Sequence, residues 1–291
     1  MAIKSKSSGQ ASVGHRSTRS SWVRGLPLFP IMIIGSMIIA GIFAPWIAPH
    51  DFFEPSLTNR LSPPSPDHWM GTDSLGRDVF SRVLLGARVT LIVVALSLAF
   101  GAGFGLLLGI IAGYMGGVVD SIISRIMDAM LAFPPIFFGL LFAVTLGAGI
   151  RSVTLALSLV LWARFARVIR GDVLSIRERD FVSQAVINGA STPRILALHI
   201  LPNVANTFMV LISVNIGSII IAEASLSFLG AGIPPPNPSW GSMIASGQDF
   251  VRSGWWLSMF PGLAITLVVL SLNLFGDWVR DVLDPRLRDQ L

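Results

Sequence analysis

The sequence predicts an all-α, polytopic membrane protein with six spanning helices. Three observations carry that prediction. Apolar residues make up 53% of the 291-residue chain and charged residues only 13%, against about 25% charged in soluble domains. Apolar runs near the roughly 20 residues a spanning helix needs occur six times. The Lys and Arg side chains fall mainly in the tails and loops between those runs. No cysteine is present, which excludes disulfides and thiolate metal or redox chemistry. The pI of about 10.9 does not point to nucleic acid, because the basic residues are spread out and form no single basic face.

Taken in order, residues 1–24 form a Ser/Gly-rich basic tail with Lys4, Lys6, Arg16, Arg19 and Arg24 and no acid. Such a segment is expected to be disordered, or ordered only against lipid headgroups or a partner. Residues 25–88 hold the first span, Leu26–Ala44, and a loop rich in Pro and aromatics. That span exceeds the 7–15-residue core of a signal peptide and lacks a small-x-small cleavage site, so it is read as uncleaved. Residues 89–280 form the core, with spans expected at Val89–Ala112, Ile122–Leu146, Val153–Ile169, Val204–Leu229 and Leu257–Trp278. A short tail, 281–291, ends the chain. The positive-inside rule places the N-terminal tail and the loop bearing Arg170, Arg177, Arg179 and Arg194 in the cytoplasm, with the C-terminus beside them. Asp51–Arg88 and Gly230–Trp256 then face outward.

Span two carries Gly101, Gly105, Gly109, Gly113 and Gly117 at every fourth position. That spacing draws one stripe of bare backbone along a helix, and close packing against another helix is its first reading. Pro134-Pro135 lies inside span three and should kink it.

The segment Asp180–Asn203 looks helical but is too polar for hydrocarbon, where each charge costs about 2.5–3.5 kcal/mol. Val182, Ala185 and Val186 make an apolar stripe at helical spacing. Gly189 suits a helix end needing positive φ, and Thr192-Pro193 supplies an N-cap followed by proline at the first helical position. A helix–turn–helix held at the membrane face is suited to touch something outside the bilayer.

Ionisable residues in or near spans are candidates for pathway or structural roles. Arg125 and Asp128 are three apart and are expected to pair on one face. Glu223 and Asn215 share a face of span five, where Glu223 either braces the Pro-rich loop that follows or lines a pathway. Catalytic patterns are absent from the sequence. His15, His50, His68 and His199 lie outside the spans with no second ligand at metal spacing, so no metal site is expected. No histidine is placed to activate a span serine, and no phosphate-binding G-x-x-x-x-G-K-[ST] loop occurs. If the protein works against a gradient, the energy enters elsewhere.

Several motifs resemble one family. Ala185, Gly189, Leu201 and Pro202 fall in register with the cytoplasmic EAA loop of ABC importer permeases. Ser183 and Gln184 stand where that loop usually has Glu and Ala, and His199 stands at its Ile position. Gly71-Thr72-Asp73 with Gly76-Arg77-Asp78 looks like the GTD-x-x-GRD segment of the peptide/nickel permeases. Glu223–Gly241 and Gly276–Arg288 are similar to that subfamily's span-five exit and C-terminal signature. The chain thus looks like a C-type permease subunit of dipeptide/oligopeptide importers.

The resemblance implies a non-catalytic subunit in a prokaryotic plasma membrane, paired with a second (B-type) permease. It further implies separate ATPase subunits or a fused double ATPase that bind ATP and Mg²⁺, and an extracytoplasmic binding protein that delivers peptide. By the same resemblance Asp180, Phe181, Val182, Gln184, Ala185, Asn188, Gly189, Ala190, Ser191, Thr192 and Pro193 would form the coupling element against the ATPase. Nickel instead of peptide stays open as the cargo. A secondary transporter would need a midplane ion site, and Asp128 and Glu223 are not central.

Overall fold

The computed structural model describes residues 27–283. The basic tail and the last part of the C-terminal signature, Asp284–Arg288, lie outside them. Eleven α-helices occur among the described residues: α1 (Leu28–Ile47), α2 (Val79–Ser97), α3 (Gly103–Met115), α4 (Gly117–Ala132), α5 (Pro135–Leu146), α6 (Ile150–Arg177), α7 (Asp180–Ile187), α8 (Thr192–Ile195), α9 (Leu201–Phe228), α10 (Trp240–Gly247) and α11 (Trp256–Leu283). Wide, π-type turns at Leu98–Ala102 and Leu196–Ile200 join α2 to α3 and α8 to α9, giving continuous rods Val79–Met115 and Thr192–Phe228. Five helices are long and apolar enough to cross a membrane, or six if α4 and α5 together make one span.

Three expectations change in detail. The second span begins at Val79, ahead of Val89, because Asp78 caps it by accepting from the Ser81 amide at 2.8 Å. Its first turns carry Arg82 and Arg88, whose charge hid them from an apolar search. Span three is broken and not merely kinked: α4 and α5 meet at 84° across Phe133-Pro134. Pro134 and Pro135 supply no amide hydrogens there, and Pro135 starts α5. Gly117 leaves the glycine stripe, since Gly116 and Gly117 both have positive φ (65° and 56°) and form the corner between α3 and α4.

α6 is the central post. Of its most apolar stretch 67% is buried, against 22% for α1. The reason is visible on α3. A Cβ added at Gly101, Gly105, Gly109 or Gly113 would lie 2.7, 2.6, 2.8 and 2.7 Å from Leu161, Trp162, Ala166 and Val173 respectively, all on α6. The glycine stripe is therefore a close helix contact, whereas Gly103 on the other side meets nothing within 4 Å. Leu157, Leu161 and Phe165 of α6 join Ile219, Ile220 and Leu226 of α9 and Val268 and Leu272 of α11 in the main core.

α4 lies against the same post through Met127, which is buried with Trp162, Ala163 and Ala166. Ion pairs fasten its polar edge: Asp120 with Arg170 and Asp128 with Arg167. The expected Arg125–Asp128 pair is not formed. Helical spacing put those two on one face, but α6 offers Asp128 a guanidinium from across the interface.

Candidate functional site

Two polar assemblies sit at opposite ends of the bundle. At one end the α6–α7–α8 connection is built from backbone chemistry. α6 ends at Arg177, whose Nη1 donates to the carbonyls of Gly113 and Tyr114 at 3.2 and 3.4 Å. A cation there satisfies orphan carbonyls at the C-terminus of α3 and offsets the negative end of its dipole. α7 then starts with Asp180 in its first turn, the favourable charge for a helix N-terminus.

The end of α7 is a Schellman motif. The Ala190 amide donates to the Ala185 carbonyl at 3.0 Å, and the Gly189 amide to the Val186 carbonyl at 3.0 Å. Gly189 has φ 74°, as its sequence position predicted. The second helix departs from expectation. Ser191 is its N-cap, Thr192 and Pro193 are its first residues, and it runs through the Leu196–Ile200 turn directly into α9. Ile195, Ile200 and Val204 are buried in one cluster, so this stretch packs as the root of span five and does not stand apart.

That cluster also fixes the aim of α7. Val182 is 2% exposed and packs with Ile110 of α3, Ile169, Val173 and Ile176 of α6, and Ile195, Ile200 and Val204. Phe181, Ala185 and Ala190 support it at the edge, and the Phe181 ring lies 6.2 Å from His199. The apolar stripe is thus divided: Val182 and Ala185 hold α7 to the bundle, while Val186 turns outward. Ser183, Gln184, Val186, Ile187, Asn188, Gly189 and Ser191–Arg194 are exposed, with Ile187 at 82%. A groove beside them is lined by Tyr114, Arg177, Glu178, Val182, Ser183, Val186 and Ile187. Sequence reading passed over Ile187, although its place one turn beyond Ser183 marks the same outer face.

At the other end, loops and α10 form a cap. Asp73 Oδ1 accepts from the amides of Leu75 and Arg77 at 2.8 and 3.0 Å, while Oδ2 pairs with Arg77 at 2.7 Å. Trp256 Nε1 donates to the Thr72 carbonyl and Trp240 Nε1 to that of Val83, each at 3.0 Å. Arg82 Nη1 donates to the Phe52 carbonyl at 2.8 Å. Beneath the cap, Glu223 is fully buried and accepts from Ser227 Oγ at 2.8 Å and Thr90 Oγ1 at 3.4 Å. Ser227 Oγ in turn accepts from the Ile233 amide at 3.3 Å, so Glu223 braces the Pro-rich loop. Asn215 is not brought to it; its side chain donates to the Leu211 carbonyl on its own helix.

The family described as "Binding-protein-dependent transport system inner membrane component" matches residues 105–289. The chain belongs to this family. The permease is 41% identical to a putative peptide transport system permease protein of Brucella suis, over 89% of this chain and 87% of that protein. It is 40% identical to a dipeptide transport system permease protein of Alkalihalophilus pseudofirmus, over 90% and 86%. It is 42% identical to a glutathione transport system permease protein of Escherichia coli O1:K1, over 87% and 84%. As a permease it is a multi-pass membrane subunit of an ABC transport system and carries no catalytic role itself.

One grouping on the cap escaped sequence reading. His50 and His68, 18 residues apart, lie with ring centroids 4.6 Å apart and planes tilted by 38°, beside Asp78. The loop fold, not a local spacing, brings them together, which corrects the expectation that no second metal ligand is near.

Proposed function

We propose that this permease forms half of the translocation pathway of an ATP-driven peptide importer, with α7 as its coupling element. The observation that carries this reading is the two-sidedness of α7. Val182 ties it to the ends of α3, α6 and α9 at once, while Val186 and Ile187 stand exposed among the described residues. A push on the outer face is therefore delivered to three helices.

In this reading the α7 end and both termini face the cytoplasm, and the cap faces outward to a binding protein that delivers peptide. A second (B-type) permease completes the pathway. Separate ATPase subunits, or a fused double ATPase, hold ATP and Mg²⁺ and receive α7. Peptide cargo is supported by the peptide, dipeptide and glutathione relatives, each aligned over most of its length.

The test uses the assembled transporter in proteoliposomes. Ile187→Asp should preserve insertion and permease pairing but abolish the rise in ATP hydrolysis on adding loaded binding protein. Gly189→Val meets no neighbour within 4 Å, so its effect is conformational, about 1–3 kcal/mol of backbone strain. It should misaim α7 and lower transport with the spans intact. Wild-type transport and ATPase response in both variants would remove α7 from the coupling role.

A further inference from the structure

We propose that His50, His68 and Asp78 form a binding site for one divalent transition cation of the zinc class on the cap. One ring nitrogen from each histidine and one Asp78 oxygen lie within 4.8 Å of one another. Two imidazoles and a carboxylate are the donor set such cations take, and three protein ligands leave a further position for water. Bonds of about 2 Å at tetrahedral angles require the three atoms to close to about 3.3 Å from one another. His50 is exposed and is the ligand that closes, by pivoting about its Asp67 contact, while Asp78 is buried.

The surroundings orient the ligands as a metal site requires. A histidine that binds metal through one nitrogen usually donates its other N–H to a carbonyl or carboxylate. His50 Nε2 lies 2.8 Å from the Asp67 carbonyl, which only accepts, so the proton is on Nε2 and the Nδ1 lone pair is free. Asp78 divides its two oxygens. Oδ2 is held by the Ser81 amide and hydroxyl, both at 2.8 Å, and Oδ1 is turned to His68 Nδ1 at 3.0 Å. A cation would replace the proton shared between His68 and Asp78, the neutral imidazole then keeping its proton on Nε2. The side chains of Asp73, Arg77 and Arg82 are occupied with one another, so this cluster is separate from that ion-pair network.

The three ligands come from the exit of α1, the middle of the connecting loop and the N-cap of α2. Bound metal would clasp that loop onto the head of the second span. The site is independent of α7 and of the cargo.

The test is direct because the chain has no cysteine to compete. The full chain in nanodiscs, with the subunits that co-elute, is equilibrated with Zn²⁺, gel-filtered and assayed for metal. Wild type should retain one more zinc per copy than His50→Ala or His68→Ala. Loss of an orienting partner alone weakens metal sites by about 10–100-fold, so loss of a ligand should weaken binding at least that much. Co²⁺ in place of Zn²⁺ should give visible ligand-field absorption that vanishes in the same variants and persists in His199→Ala. Equal zinc retention in wild type and both variants, or no retention by wild type, overturns the proposal. His50 is exposed, so His50→Ala reads the site without disturbing packing; unchanged subunit co-elution checks this.

Discussion

Gly105 and Trp162 approach so closely that a Cβ on Gly105 would sit 2.6 Å from the Trp162 carbonyl oxygen. Backbone cannot retreat as a side chain can, so even alanine forces α3 and α6 apart. Gly105→Ala should lower the melting temperature of the purified permease, by overpacking worth about 1–3 kcal/mol. Gly103→Ala, with nothing within 4 Å, should not. Equal melting temperatures for the two variants would contradict the contact.

The Asp120–Arg170 pair fastens α4 to α6 through two hydrogen bonds, Arg170 Nη2 to Asp120 Oδ2 measuring 2.6 Å. Both side chains are partly exposed, at 17% and 30%, so screening limits its worth to about 0.5–1 kcal/mol. Asp120→Asn and Arg170→Lys should each cost that much, since lysine cannot reproduce the fork. A double-mutant cycle on thermal stability would measure the coupling, and it should shrink in high salt. Arg125→Ala, which breaks no ion pair among the described residues, should be silent.

Glu223 is placed to hold a loop. Glu223→Ala would leave the buried hydroxyls of Thr90 and Ser227 without their acceptor, a loss of about 1–3 kcal/mol. Glu223→Gln keeps the shape and one acceptor oxygen and should cost less. Paired measurements of melting temperature and transport separate this role from cargo handling. A Gln variant that is fully stable yet inactive would assign Glu223 to the pathway instead.

Orientation is checked by single cysteines in this cysteine-free chain. Ser191→Cys beside α8 and Ser253→Cys on the cap, between α10 and α11, are both exposed. An impermeant thiol reagent added to whole cells should label Ser253→Cys alone, and Ser191→Cys should react only after the membrane is opened. The reverse pattern would invert the topology.

Much of the fold was legible because the physics behind it is local. Gly189 reads as a left-handed helix end, and the four-residue glycine period reads as a bare helix face, without knowledge of any neighbour. Hydrocarbon length sets the size of each span. What escaped depends on a second segment. Asp128 and Arg125 have the right spacing to pair, but only the packed bundle brings Arg167 to Asp128. Arg82 looks like a loop residue until Phe52 and the cap cover the head of α2, whereas Arg88 stays exposed on the helix. Ser191 displaces Thr192 as the cap by one residue.

The wide turn at Leu98–Ala102 is the place where this rod has a residue to spare. Each residue of an α-helix advances about 100° around its axis, but a π-type turn closes over one more residue than an α-turn and so absorbs it without turning the helix beyond. Above it, Ala87 and Val94 face the core that includes Met37 of α1; below it, the glycines face α6. Removing one residue between Leu98 and Ala102 would let the turn close as an ordinary α-turn, with Gly105, Gly109 and Gly113 still against α6. The same deletion between Gly105 and Gly109, in regular helix, would carry Gly109 and Gly113 about 100° around the rod and put side chains where α6 meets bare backbone.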